Sequence, residues 1–217
     1  MQNLSLPNRV SRFNQLFPKA LPLVCMAKYN SDADKFVPFI QGCWFLGGGN
    51  HSSFYGAYNS VYLDRITSLF KDAERVVHLF AGSLPHSKDY LRVGLDPTKQ
   101  YKYDIEMDAE HLSSSIKIRN FQPDIIYADP PYSIEDSREY GNDTSEALHY
   151  QGEHFLNRPK VVSECARVLA PGGFLIWLDQ VLPVFTNTEI QLVGLISYIR
   201  STGNRFRCVS IFQKALK

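Results

Sequence analysis

Asp129-Pro130-Pro131-Tyr132 closes an apolar run that begins at Asp124 and continues Ile-Ile-Tyr-Ala. Four consecutive residues thus deliver a carboxylate, a carbonyl carried on a proline ring and a flat aromatic side chain to one place. The carboxylate and the Pro130 carbonyl both accept hydrogen bonds. Proline fixes φ and so holds that carbonyl still, and the Tyr132 ring can lie against a planar partner. The set suits a flat ring bearing an exocyclic amine, such as a nucleobase. A plain turn after a strand needs only one proline. Two prolines between an acid and an aromatic, directly after a buried strand, point to chemistry.

Other strand ends carry complementary groups. His78-Leu79-Phe80-Ala81-Gly82-Ser83 runs from an apolar stretch into a glycine, which lets a ligand approach the backbone closely. Asp96 ends the next run; an acid there can accept two hydrogen bonds from ribose hydroxyls, or serve as a turn acid before Pro97. Asp108-Ala109 ends a third, with Asp108 also placed to cap a helix over 110–115. Gly48 and Gly49 belong to a glycine-rich loop over 45–54. Residues 133–153 are polar and unpatterned, and a segment of that length inside a compact domain is often a lid or binding loop. Arg138, Tyr140, His149 and Tyr150 within it are the candidates to touch substrate, Arg138 and Tyr140 first.

Positioning these groups requires a parallel sheet. Short apolar runs at 75–80, 90–95, 103–107, 124–128 and 173–178 alternate with polar or helical stretches, the pattern of strands joined by crossover helices. Val161, Val162, Cys165, Val168 and Leu169 share one helical face, with Pro159 in the first turn and Pro171-Gly172-Gly173 as the stop. A second amphipathic helix is expected over 59–70, and the helix that should follow Gly82 has only 83–89 to occupy. Phe174 and Trp177 read as core. Residues 189–199 and 205–213, joined by Ser201-Thr202-Gly203-Asn204, read as a hairpin, so the sheet should end in an antiparallel pair. Residues 1–44 read as an N-terminal extension with one helix near 10–16, ahead of a domain over 45–217.

The totals bound the function. With 217 residues, 44% of them hydrophobic, the chain can bury one ordinary core. With a formal net charge of +1 nothing in the chain resembles a polybasic tail, so a nucleic-acid partner would be held by a local patch. The four cysteines lack metal-ligand spacing, which argues against a zinc site or a disulfide framework and for a reducing interior. No stretch has the length of a membrane span or the form of a signal peptide. A soluble, cytoplasmic protein is expected, with no membrane partner.

Taken together, the motifs over residues 45–213 resemble those of class I S-adenosylmethionine-dependent amino-methyltransferases of the D-P-P-Y type, the N6-adenine and N4-cytosine DNA enzymes. The resemblance implies a Rossmann-like α/β fold, mostly parallel with a C-terminal antiparallel hairpin. It implies Asp129, Pro130 and Tyr132 as catalytic residues and Pro131, Arg138 and Tyr140 as substrate contacts. Phe80, Ala81, Gly82, Asp96, Asp108, Ala109, Gly48 and Gly49 would bind the cofactor, S-adenosylmethionine. Its implied partner is nucleic acid, DNA first, and the implied product a methylated base amine, adenine N6 first. The chain departs from the pattern at Leu84, where a second glycine is usual. Three alternatives stay open: an RNA base-amine methyltransferase, a binding protein that keeps the fold without turnover and, last, a protein-glutamine methyltransferase, which usually carries Asn where this chain has Asp129.

Overall fold

Buried side chains alternate along two central strands and divide the protein into three layers. The computed structural model describes residues 4–31, 34–46, 59–95, 102–131, 156–200 and 206–216. Along the strand Ile125–Ala128, Ile125 and Tyr127 enter one core cluster while Ile126 and Ala128 enter another. Phe174–Asp179 does the same, with Phe174, Ile176 and Leu178 on one face and Leu175 and Trp177 on the other. Successive strand residues point to opposite faces, so a sheet covered on both sides reads as unbroken apolar sequence. Phe174 and Trp177 are core residues, as expected.

Helices α1 (Leu6–Leu16) and α2 (Ser60–Leu69) cover the first face through Leu6, Val10, Phe13, Tyr62, Ile66 and Leu69. A 3-10 turn over Ala109–Ser114, α3 (Ile116–Phe121) and α4 (Arg158–Val168) cover the second. Their starts follow local chemistry. Asn59 Oδ1 accepts from the Tyr62 amide at 3.1 Å, and Asn157 Oδ1 from the Lys160 amide at 3.1 Å, each supplying an orphan helix donor with a partner. Helix α1 is tied to the end of α2 by Arg9, whose buried guanidinium bonds Asp72 Oδ2 at 2.7 Å and lies 5.1 Å from the ring centroids of Phe70 and Phe174. Burial opposes charge on Asp72, but Arg9 prevails and holds the carboxyl below its usual range.

The strands in chain order are β1 (Val24–Asn30), β2 (Lys35–Leu46), β3 (Val76–Leu79), β4 (Tyr90–Gly94), β5 (Ile105–Glu106), β6 (Ile125–Ala128), β7 (Phe174–Asp179), β8 (Ile190–Arg200) and β9 (Phe206–Lys214). They form one sheet in the order β1-β2-β8-β9-β7-β6-β3-β4-β5. Strands β3 to β7 are parallel; β9 runs antiparallel between β7 and β8, which closes the expected hairpin. The chain moves outward through β3, β4 and β5, then returns to β6 and continues the other way to β7. The fold is therefore α/β and Rossmann-like, with a switch point between β3 and β6.

Three features differ from the sequence reading. No helix follows Gly82: Leu84 N closes a turn on Ala81 O at 3.0 Å, and the Pro85 and Leu84 carbonyls are then taken by Tyr90 Oη (2.7 Å) and Arg92 Nη1 (3.1 Å). These bonds, and a proline in the segment, hold it out of helix. The strand expected over 103–107 shrinks to β5, and just before it the Asp104 carboxylate accepts from the Arg92 amide (2.8 Å) and Nε (3.2 Å). Burial opposes ionisation of Asp104, yet the Arg92 amide and guanidinium depress its pKa. Finally, β1 and β2 widen the sheet, and β2 runs through positions 44 and 45, where the sequence reading separates extension from domain.

The relative level of β3 and β6 is set by Asp124, only 2% exposed at the side chain. Its Oδ2 accepts from the amides of Glu74 (3.2 Å) and Arg75 (3.0 Å), and its Oδ1 from Arg75 Nε (3.2 Å) and Nη2 (2.5 Å). Its own amide donates to Arg75 O at 2.8 Å, and its carbonyl accepts from the Phe174 amide at 2.9 Å, so three strands meet on one residue. Asp124→Ala should cost about 2–4 kcal/mol in urea unfolding, since it leaves two amides and a guanidinium without their acceptor.

His78 in β3 is buried between the rings of Tyr90 (4.8 Å) and Tyr127 (5.0 Å), and burial pushes its pKa down from 6.5 to about 4. The folded protein therefore resists a proton that the unfolded chain accepts, so stability present above pH 6.5 falls as the pH drops towards 4. That loss should reach roughly 3 kcal/mol at its limit, the free-energy equivalent of the difference between the two pKa values. Denaturant midpoints measured between pH 7.5 and 4.5 should decline in the wild type and much less in His78→Phe.

Candidate functional site at the switch point

Cα register brings two of the sequence motifs side by side. Leu79, the last residue of β3, is level with Ala128 of β6 and Val93 of β4. Phe80 and Asp129 therefore leave adjacent parallel strands at the same height, where the connections diverge; in open α/β sheets ligands bind outside the carboxyl ends of the strands at such a point. Pro130 is buried, and Asp129 and Pro131 are half-buried.

The backbone at the end of β3 is unusual. Phe80 has φ 58° and Gly82 has φ 51°. The second is the conformation a glycine is needed for; the first is rare for a bulky residue and costs energy that the surroundings must supply. Those surroundings are identifiable. Ala81 is buried and its amide donates to Val93 O at 3.3 Å, pinning the turn to β4. The Phe80 ring meets Trp177 edge-on, 6.4 Å between centroids at 88°. Trp177 is the β7 partner of Ala128, so Phe80 reaches across β6 over a residue that presents only a methyl group.

Asp179, with no exposed surface, locks this arrangement from the far side. It accepts from Trp177 Nε1 at 3.2 Å, from the Gln180 amide at 2.6 Å and from Arg158 Nε at 2.6 Å. The start of α4 is thereby fixed against the carboxyl end of β7, next to the end of β6. The sequence reading missed this group, although an acid closing the run Phe174-Leu175-Ile176-Trp177-Leu178 was visible.

Asp108 and Ala109 lie on the same edge beyond β4, following β5. Asp108 caps the 3-10 turn, its Oδ1 accepting from the Glu110 amide at 2.9 Å and its Oδ2 lying 3.4 Å from His111 Nδ1. The Ala109 methyl is in the core, leaving only its main chain for a ligand. Glu110 in turn accepts from the Asn157 amide at 2.9 Å, which joins this edge to the start of α4. Thus Phe80, Ala81, Gly82, Asp129, Pro130 and Pro131 come together, and Asp108 and Ala109 sit two strands away from β3. Tyr132, Asp96, Gly48, Gly49, Arg138, Tyr140, His149 and Tyr150 lie outside the described residues. Among the described residues no group of three His, Cys, Asp or Glu side chains could hold a metal ion, and no helix is long and apolar enough to cross a membrane.

No protein-family model and no curated protein matches the sequence. Among solved structures, the crystal structure of TrmN from Thermus thermophilus is similar over 65% of this chain and 44% of its own, with 17% identity and a TM-score of 0.40. The chain thus spans less than half the length of that neighbour, and a likeness so partial carries no argument about activity.

The strained turn makes its own prediction. Gly82→Ala places a Cβ in the left-handed region and should lower stability by about 1–2 kcal/mol in urea titration. An unchanged midpoint would mean that the turn relaxes to another conformation.

Proposed function

We propose that the chain transfers a methyl group from S-adenosylmethionine to the exocyclic amine of a nucleobase in nucleic acid, adenine N6 of DNA being the first candidate. The observation that carries this reading is the register-fixed meeting of Phe80-Ala81-Gly82 with Asp129-Pro130-Pro131 at the switch point. The residues present fit the cofactor: the left-handed Gly82 leaves a stretch of main chain that a ligand can approach. Asp108 would add a carboxylate acceptor from the same edge, and Ala109 its backbone only. When bound, S-adenosylmethionine supplies an electrophilic methyl group.

The chain's own part is to prepare the amine. An amine conjugated with a base ring is a weak nucleophile. Asp129 and the Pro130 carbonyl each accept one of its N–H bonds, which favours a pyramidal nitrogen with a localised lone pair. Proline geometry keeps the carbonyl acceptor in place, so little reorganisation is left for the reaction itself. Asp129 can then take the proton that the methylated nitrogen releases. A base in a duplex must first leave the stack to reach these acceptors.

Asp129→Ala should lower transfer by about 10²–10³-fold or more, while S-adenosylmethionine binding stays close to wild type by calorimetry. The assay uses duplex DNA, single-stranded DNA and structured RNA, with nucleosides identified by mass spectrometry. Near-normal turnover in the variant sinks the mechanism. Product in RNA alone moves the substrate to RNA, and no product with no cofactor heat favours a binding protein that keeps the fold.

A further inference from the structure

A cavity of about 190 Å³ opens at the opposite edge of the sheet, away from the proposed reaction site. Its walls come from the end of β1, the start of β2, the connection after β7 and the start of β8. Because β1 runs against β2, and β2 and β8 run with β6, all four meet at the amino edge. At 190 Å³ it is too small for a whole cofactor, for which pockets of roughly 300–1,000 Å³ are usual.

The polar lining is Lys28, Tyr29, Asn30, Ser31, Asn187 and Gln191. Lysine, serine and side-chain amides are among the groups that contact phosphate oxygens in nucleic-acid complexes. Lysine has three N–H donors, the Gln191 amide two and serine one, which suits a ligand group made only of acceptors. Val37, Phe185 and Leu192 supply the apolar part of the lining. Among the described lining residues there is no carboxylate. One carboxylate stands at the rim, Asp34, which accepts from the Tyr29 hydroxyl at 2.5 Å and so occupies that hydroxyl's proton; Glu189 accepts from the Ser163 hydroxyl at 3.0 Å. The Lys28 ammonium is held over the Phe39 ring at 4.7 Å, which limits its wandering.

We propose that this cleft binds a phosphoryl group. Two sources share that chemistry, the backbone of a nucleic-acid strand and a free phosphate ester. The inference does not depend on methyl transfer, and its test reads binding alone.

The full chain is titrated by calorimetry with inorganic phosphate, adenosine monophosphate and a single-stranded oligonucleotide. Lys28→Gln and Gln191→Ala are compared with wild type, and unchanged melting temperatures certify folding at these surface positions. Lys28→Arg keeps the charge and should retain binding. If free phosphate esters are the ligand, their affinity falls about fivefold or more in both variants. If the strand is the ligand, the oligonucleotide shows that loss instead, with a salt slope shallower by about one in Lys28→Gln. Wild-type affinity for all three ligands in both variants overturns the proposal, as does absence of binding to the wild type.

Discussion

The geometry of the switch point depends on one carboxylate at the far end of the strand that reaches it. Asp124 gathers two amides and the guanidinium of Arg75 at the amino end of β6, while its main chain bonds the approach to β3 and the start of β7. With the three strands levelled there, each four-residue step along β3 and β6 ends at the same height. A slip of one residue would turn Ile126 and Ala128 to the wrong layer and carry Asp129 out of register with the Phe80 turn. Because Asp124 is buried and Arg75 is partly in water, the acid is the member that the fold cannot lose.

Strain and support are matched at the opposite end. The positive φ of Phe80 is held by the hydrogen bond from Ala81 to β4 and by the contact with Trp177, which Asp179 fixes. Ala128 lets the ring cross. Unfavourable backbone conformations persist where their neighbours over-determine them, and ligand sites are where they concentrate. The Arg158–Asp179 pair extends the support to α4.

Much of this was legible in the residues alone. The doubly covered strands β6 and β7 announce themselves as unbroken apolar runs, α4 by its spacing and its proline and glycine stops, and the β8–β9 pair by its turn residues. The candidate site was legible where it is built from contiguous residues, namely Phe80–Gly82 and Asp129–Pro131. Long-range polar contacts were not: nothing in the sequence joins Asp124 to Arg75 or Asp179 to Arg158. Strand β2 was hidden by Pro38, which a central strand rarely tolerates. The structure resolves this, because β8 pairs with β2 only from Ile40 onward, so Pro38 has β1 alone as a ladder partner. The absent helix after Gly82 was also beyond reach, since Tyr90 and Arg92 hold that segment from the following strand.

Strand β9 has the highest residue numbers of the nine described strands and lies in the interior of the sheet, between β7 and β8. As the chain emerges from the ribosome, β8, β2 and β1 therefore have no hydrogen-bonded route to β7 until residues 206–214 are free. The long strand β2 must wait, while everything between it and β9 is made, for the piece that joins it to the rest. Such late, non-local closure slows folding and prolongs the exposure of unpaired strands. For a nascent copy of this protein, the vulnerable interval opens when β2 leaves the tunnel and ends only with the arrival of β9.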